Sequence, residues 1–243
     1  MIITMPLFFV REIDRINRDL LLLSGKVEEN LRLAVQAIDK GDTDLAEKII
    51  EADKEIDDME VGIEEECLKI LALHQPVAGD LRFIVAVLKI NNDLERIGDL
   101  ASGIAQRVYY LRKISHLPPP FDLHGMTARV QWMLQKTIDA FVHQDIELAL
   151  KILKEDDEVD EIHRKAYKRV EKILREETNT HGFQKIVRWL AVSRALERIA
   201  DHTTNIAEDV IYMLSGQIIR HQHIENTTDD DEDDETITDP ENA

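Results

Sequence analysis

The chain repeats itself, and the repeat limits the folds open to it. Leu94-Glu95-Arg96-Ile97-Gly98-Asp99 returns as Leu196-Glu197-Arg198-Ile199-Ala200-Asp201. The echo continues downstream, where Ala101-Ser102-Gly103-Ile104-Ala105 answers Thr203-Thr204-Asn205-Ile206-Ala207. Upstream, Asp42-Thr43-Asp44-Leu45-Ala46 answers Asp145-Ile146-Glu147-Leu148-Ala149, and Asp53 and Asp57 answer Asp156 and Asp160. Upstream pairs lie 103 positions apart and downstream pairs 102, so one residue is lost in a connecting loop. A fixed period of this kind means two copies of one structural module. Each copy carries acidic pairs spaced i, i+4.

Apolar residues recur at spacings of three and four between a few breakers, which is the signature of amphipathic helix. The breakers are Gly41, Gln75-Pro76, Pro118-Pro119-Pro120, His143-Gln144 and the segment 178–182. Ile13, Ile16, Leu20, Leu23, Val27 and Leu31 mark a first helix. Leu45, Ile49, Ile56, Ile63, Cys67 and Ile70 mark a second. The third runs from Phe83 through Leu94 and Ile97 to Leu111. Met126 to Phe141, Leu148 to Ile173 and Val192 to Met213 mark three more. Asp42 and Asp145 are placed to cap helix N-termini. No segment has a convincing strand pattern. The prediction is an all-α protein of six main helices in two pseudo-symmetric antiparallel three-helix bundles. They span residues 1–117 and 118–220, followed by an acidic tail over 221–243. Short connections favour antiparallel neighbours.

Charge narrows the partners. The net charge is −19, and the tail from Glu225 to Ala243 supplies −10 of it, with ten acidic residues and no Lys or Arg. Such a tail repels itself and is expected to stay solvated. The balance argues against nucleic acid, whose phosphates need a basic footprint. No stretch approaches the roughly 20 apolar residues of a membrane span, and the apolar start, Met1 to Val10, lacks the basic flank of a signal peptide. The one cysteine, Cys67, lies on an apolar stripe and reads as buried filler. It cannot form an internal disulfide, which fits a reducing, cytoplasmic setting.

Hairpin geometry brings the acidic pairs together. In an antiparallel pair, residues equally far from the turn lie side by side. About Pro76, Asp57 faces Glu95, Asp53 faces Asp99, and Glu60 faces Asn92. About the start of the 178–182 breaker, Asp160 faces Glu197, Asp156 faces Asp201, and His163 faces Arg194. Four carboxylates together repel and raise one another's pKa. A bound cation relieves this, and an all-oxygen site suits Mg, Ca, Mn or Fe better than Zn. His163, at Asp160-x-x-His163, and His202 adjoin the second set as candidate ligands. The remaining histidines fall at helix ends or in loops and read as surface residues. The alternative is a solvated acidic face in which Arg96 and Arg198 make salt bridges.

At the two L-E-R-I-x-D segments the chain resembles the PhoU family of phosphate-uptake regulators. That family pattern is a duplicated three-helix bundle with D/E-R-x-(G/A)-D in the third helix of each half. Gln75-Pro76-Val77-Ala78-Gly79-Asp80-Leu81-Arg82 resembles the family's first hairpin turn. The match runs from about Leu20 to Met213 and leaves out the acidic tail. The resemblance implies a non-enzymatic cytoplasmic regulator beside a phosphate ABC transporter, the ATPase subunit first among its partners. A sensor histidine kinase is a second implied partner, and a homodimer is the expected assembly. It also implies divalent or trivalent metal ions, Fe, Mn or Mg, at the acidic motifs. Carried over by position, the ligands are Asp53, Asp57, Glu95 and Asp99, then Asp156, Asp160, Glu197 and Asp201, with His163 beside them. In the first half Leu100 and Gly103 stand where the second has His202 and Asn205, which implies a weaker or empty first site. The competing class is a di-metal carboxylate enzyme, suggested by Asp160-x-x-His163. Against it stands the lack of a second such motif, a Gly-rich phosphate loop or a separate nucleophile.

Overall fold

The computed structural model describes residues 7–112, 118–176 and 180–219. Among them there are six long helices, a single helical turn and no strand. Helices α1 (Leu7–Lys40), α2 (Thr43–His74) and α3 (Ala78–Gln106) form the first repeat, extended by the one-turn α4 (Val108–Leu111). Helices α5 (Leu123–His143), α6 (Ile146–Glu176) and α7 (Thr180–Ser215) form the second. The all-α, duplicated architecture is as the periodicity predicts.

The helix ends follow from the residues at them. Asp42 Oδ1 accepts hydrogen bonds from the N–H groups of Asp44 and Leu45 at 3.1 and 3.0 Å. Asp145 Oδ1 accepts from Leu148 N–H at 2.9 Å. Both satisfy donors that a helix start leaves unpaired. Gln75 (φ 46°) and Gln144 (φ 55°) take the left-handed conformation that closes α2 and α5. Pro76 then prevents α2 from continuing.

Three boundaries differ from the sequence reading. The third apolar run is not one helix: it breaks at Arg107, whose Nη1 donates to the Gly103 carbonyl. Helix α7 starts at Thr180, inside the segment read as a breaker, because burial farther along the helix outweighs the local cost of Gly182. Helix α1 reaches back to Leu7, where Phe9 is buried. The acidic tail lies outside the described residues.

The periodic positions form the core. Leu20, Leu23, Val27, Ile49, Ile56, Ile63, Cys67 and Ile70 are buried in the first repeat, and Met126, Val130, Ile152, Val192, Leu196 and Ile199 in the second. All belong to one continuous apolar cluster, because α3 packs along α7 and α1 against α5. Burial pushes the Cys67 thiol up to about 12, so it is protonated and inert at neutral pH. His74 is not a plain surface residue. Its Nε2 lies 2.7 Å from Glu12 Oε2, and Phe9 packs edge-on against its ring. His124 and His143 are exposed, as read.

Polar contacts show that α3 and α7 run antiparallel. Lys89 meets Asp209 at 2.7 Å, and Asp93 meets His202 at 2.7 Å and Asn205 at 3.5 Å. Farther along, Arg107 lies beside Arg188. Equivalent helices of the two repeats thus pair head to tail, as an approximate two-fold axis requires. No described helix is long and apolar enough to cross a membrane.

Candidate metal centre

The seams between α2 and α3, and between α6 and α7, turn polar partway along. In the first repeat one carboxylate oxygen each of Asp57, Glu95 and Asp99 comes within 4.8 Å of the others. Asp57 lies on α2, and Glu95 and Asp99 lie one turn apart on α3, which places both on one face. Asp53 sits one turn before Asp57, beside Gly98 and Ser102. A side-chain carbon at Gly98 would stand 3.2 Å from Ile56 and 3.4 Å from Asp53 Oδ1, so the glycine lets the two helices approach there.

The charges in this cluster cost free energy. Burial raises the pKa of Asp53, Ser102 opposes the rise, and Asp99 and Asp57 add to it. Burial also raises Glu95, with Asp99 the largest charged contributor. Asp53 Oδ1 is shielded from solvent and accepts no hydrogen bond. Arg96 supplies part of the compensation, with Nε 3.3 Å from Glu95 Oε2 and Nη1 3.4 Å from Asp99 Oδ2. It is half exposed, so these pairs are weak.

The second repeat sets Asp156 and Asp160 on α6 against Glu197 and Asp201 on α7. Burial raises the pKa of Asp156 to about 7, with Asp201 and Asp160 the next causes. Burial and neighbouring carboxylates also raise Glu197 and Asp201. Asp156 Oδ1, like Asp53 Oδ1, is shielded and unpartnered. These four carboxylates feel one another but do not converge as Asp57, Glu95 and Asp99 do.

The histidines face elsewhere. His163 Nδ1 lies 2.7 Å from Ser193 Oγ, and burial holds its pKa below the ordinary range, leaving it neutral at pH 7. Its neighbours include Asp160 and Arg194, as the hairpin geometry predicts. His202 Nδ1 turns toward Asp93 of the other repeat. Glu60 meets Asn91, whose Nδ2 donates to Glu60 O at 2.8 Å and Oε1 at 3.1 Å. The expected partner, Asn92, is exposed, and its neighbour Asn91 is buried in its place. The sequence reading overlooked Ser102, Asn91 and Asp93. Ser102 was detectable, since it recurs as Thr204 in the repeat.

The donors are all carboxylate oxygens, and each cluster holds a shielded oxygen with no protein partner. Such a set fits a hard cation. Without one, Asp156 has a testable consequence. Its carboxyl titrates near 7 in the fold and near 3.9 unfolded. Below about pH 4 it is protonated in both states and costs nothing. As pH rises through 7 it must ionise in the fold, and stability is lost. Asp156→Asn is therefore expected to stabilise the chelated protein at pH 8 by about 2 kcal/mol after allowance for partial solvation. At pH 4 it should change little. Calorimetric melts from pH 4 to 8 check this, and equal effects at both ends would refute it.

A duplicated three-helix bundle, with a carboxylate cluster between the second and third helices of each copy, defines a class of paired helical proteins with acidic centres. The sequence pattern of the PhoU domain matches residues 20–108 and again 123–210, and the chain belongs to the PhoU family. It is 37% identical over 214 residues to the phosphate-specific transport system accessory protein PhoU homolog of Pseudomonas aeruginosa, covering 88% of each chain. It is 34% identical over 213 residues to the phosphate-specific transport system accessory protein PhoU of Escherichia coli K12, again covering 88% of each. The crystal structure of PhoU from P. aeruginosa superposes with a TM-score of 0.82, covering 86% of this chain and all of that one. The phosphate transport system regulatory protein PhoU from Streptococcus pneumoniae does so at 0.77, with 29% identity, covering 86% of this chain and 98% of that one.

Proposed function

We propose that this chain is an accessory regulator of phosphate uptake acting at the cytoplasmic face of a phosphate ABC transporter. Its relation to phosphate-specific transport system accessory proteins carries this reading, since it extends over 88% of both chains and takes in both acidic segments. The transporter's ATPase subunit is the first partner, and a sensor histidine kinase the second. A homodimer is the working assembly. Mg, Mn or Fe bound by Asp53, Asp57, Glu95 and Asp99, and by Asp156, Asp160, Glu197 and Asp201, with His163 adjacent, would neutralise the carboxylates and brace α2 to α3 and α6 to α7. In the first repeat Asp57, Glu95 and Asp99 already converge, which supports that site despite its lack of histidines.

Deleting the gene is expected to deregulate phosphate uptake, and affinity capture from phosphate-replete cells should recover the transporter's ATPase subunit. Normal uptake with and without phosphate, and no transporter subunit captured, would overturn the proposal.

A further inference from the structure

The repeat contains its own control experiment at the two ends of the α3–α7 seam. With an offset of 102, Tyr110 corresponds to Tyr212, Arg107 to Asp209 and Ala191 to Lys89. At one end Lys89 Nζ lies 2.7 Å from the buried Asp209 and 5.8 Å from the Tyr212 ring centre, so cation and carboxylate neutralise each other beside the tyrosine. At the other end the carboxylate position holds Arg107. A second cation, Arg188, lies over the Tyr110 ring at 3.7 Å.

This end is thus occupied by two like charges. Burial and then the charge of Arg188 hold the pKa of Arg107 below its ordinary value. No described carboxylate forms an ion pair with either guanidinium, in a chain with 49 acidic residues. Arg107 is fixed by its donation to the Gly103 carbonyl, so it cannot simply swing away. Between the helices lies an open groove of about 520 Å³, lined by these arginines with Gln106, Gln184, Tyr110 and Phe183. Phe183 is 51% exposed and Tyr110 49%, both lining the groove.

We propose that the groove between the α3–α4 break and the start of α7 binds a nucleoside phosphate, its phosphoryl groups on Arg107 and Arg188 and its base against Phe183 or Tyr110. Two guanidiniums recognise phosphate oxygens by paired N–H donors. The glutamine amides add donors and acceptors for a sugar or base. A groove of this volume falls within the range of small-molecule sites, and the exposed rings offer a stacking surface that a bare anion would not use. The site is separate from both acidic clusters and does not depend on the role in phosphate uptake.

The test is calorimetric titration of the full chain with ADP and, separately, with inorganic phosphate. No divalent cation is added, so that the ligand is not bridged to the acidic clusters. ADP is expected to bind saturably. Arg188→Gln should weaken it at least tenfold, and Arg107→Gln with Arg188→Gln should abolish it. Phe183→Ala should weaken ADP several-fold. Asp57→Asn with Glu95→Gln should leave ADP binding unchanged. Arg107 also fastens the helix break, so Arg188→Gln decides the matter if the double variant misfolds. That single variant removes a like-charge contact and should melt no lower than wild type. Absence of saturable ADP binding, wild-type binding by Arg188→Gln, or inorganic phosphate binding as tightly as ADP would each overturn the proposal.

Discussion

Replacing Asp57, Glu95 and Asp99 together by Asn, Gln and Asn is expected to empty the first cluster of metal and lower the bound metal per chain by the amount that cluster holds. These three residues provide the convergent oxygens. Their amides lack the charge that attracts a hard cation, so affinity should fall by on the order of 100-fold or more. A cation present at about 100 times its Kd stabilises the fold by roughly 2.7 kcal/mol, because it binds the folded state alone. In a protein of this size that corresponds to about 5–10 °C in Tm. Chelator should therefore lower the Tm of the wild-type protein and have a smaller effect on the triple variant. The metal-free variant should melt above the metal-free wild type, since the desolvated Glu95 charge is gone. Elemental analysis of protein purified without a metal-affinity tag, with and without chelator, checks both halves. Unchanged stoichiometry in the variant would favour the solvated acidic face, with Arg96 as its counterion.

The second large effect concerns the core. Leu94 and Leu196 hold the same place in the two repeats, and both are 0% exposed. Truncating either to Ala is expected to cost about 2–5 kcal/mol. The informative quantity is the shape of the transition. The buried residues of both repeats belong to one cluster, joined where α3 packs along α7. Destabilising one repeat should then lower a single unfolding transition of the whole chain. Two separable transitions in the Leu196→Ala protein, with only the later part of the chain affected, would show that the bundles fold independently. Leu22→Ala, at a position 62% exposed, is the control and should be nearly silent.

The chain by itself determined the helices, their number and their pairing within each repeat. Apolar spacing marks which face each helix buries, and this is a local property that survives without knowledge of neighbours. Short connections fixed antiparallel neighbours. The hairpin ruler holds to within one position: Asp57 meets Glu95 as it gives, while Asp53 lies beside Gly98, next to the Asp99 it gives, and His163 meets Ser193, next to the Arg194 it gives. That ruler placed the eight carboxylates in two facing groups. It missed by one position at Asn91, because side-chain packing at a helix seam sets rotation, and rotation is not encoded in distance from the turn. The start of α7 was likewise misread, since a few weak helix formers lose to the burial of a long apolar stripe beyond them.

Only the tertiary structure decided what happens between the repeats. The contact of α3 with α7 joins residues far apart in the chain, for example Asp93 with His202, 109 positions on, and Lys89 with Asp209, 120 positions on. No periodicity in either helix specifies that partner. This contact turned His202 away from the second acidic cluster and merged two cores into one. It also brought Arg107 against Arg188 across the seam. The physical reason is the same in each case. A helix's own sequence sets which stripe must be buried, but the identity and angle of the surface that buries it depend on the shapes of both partners.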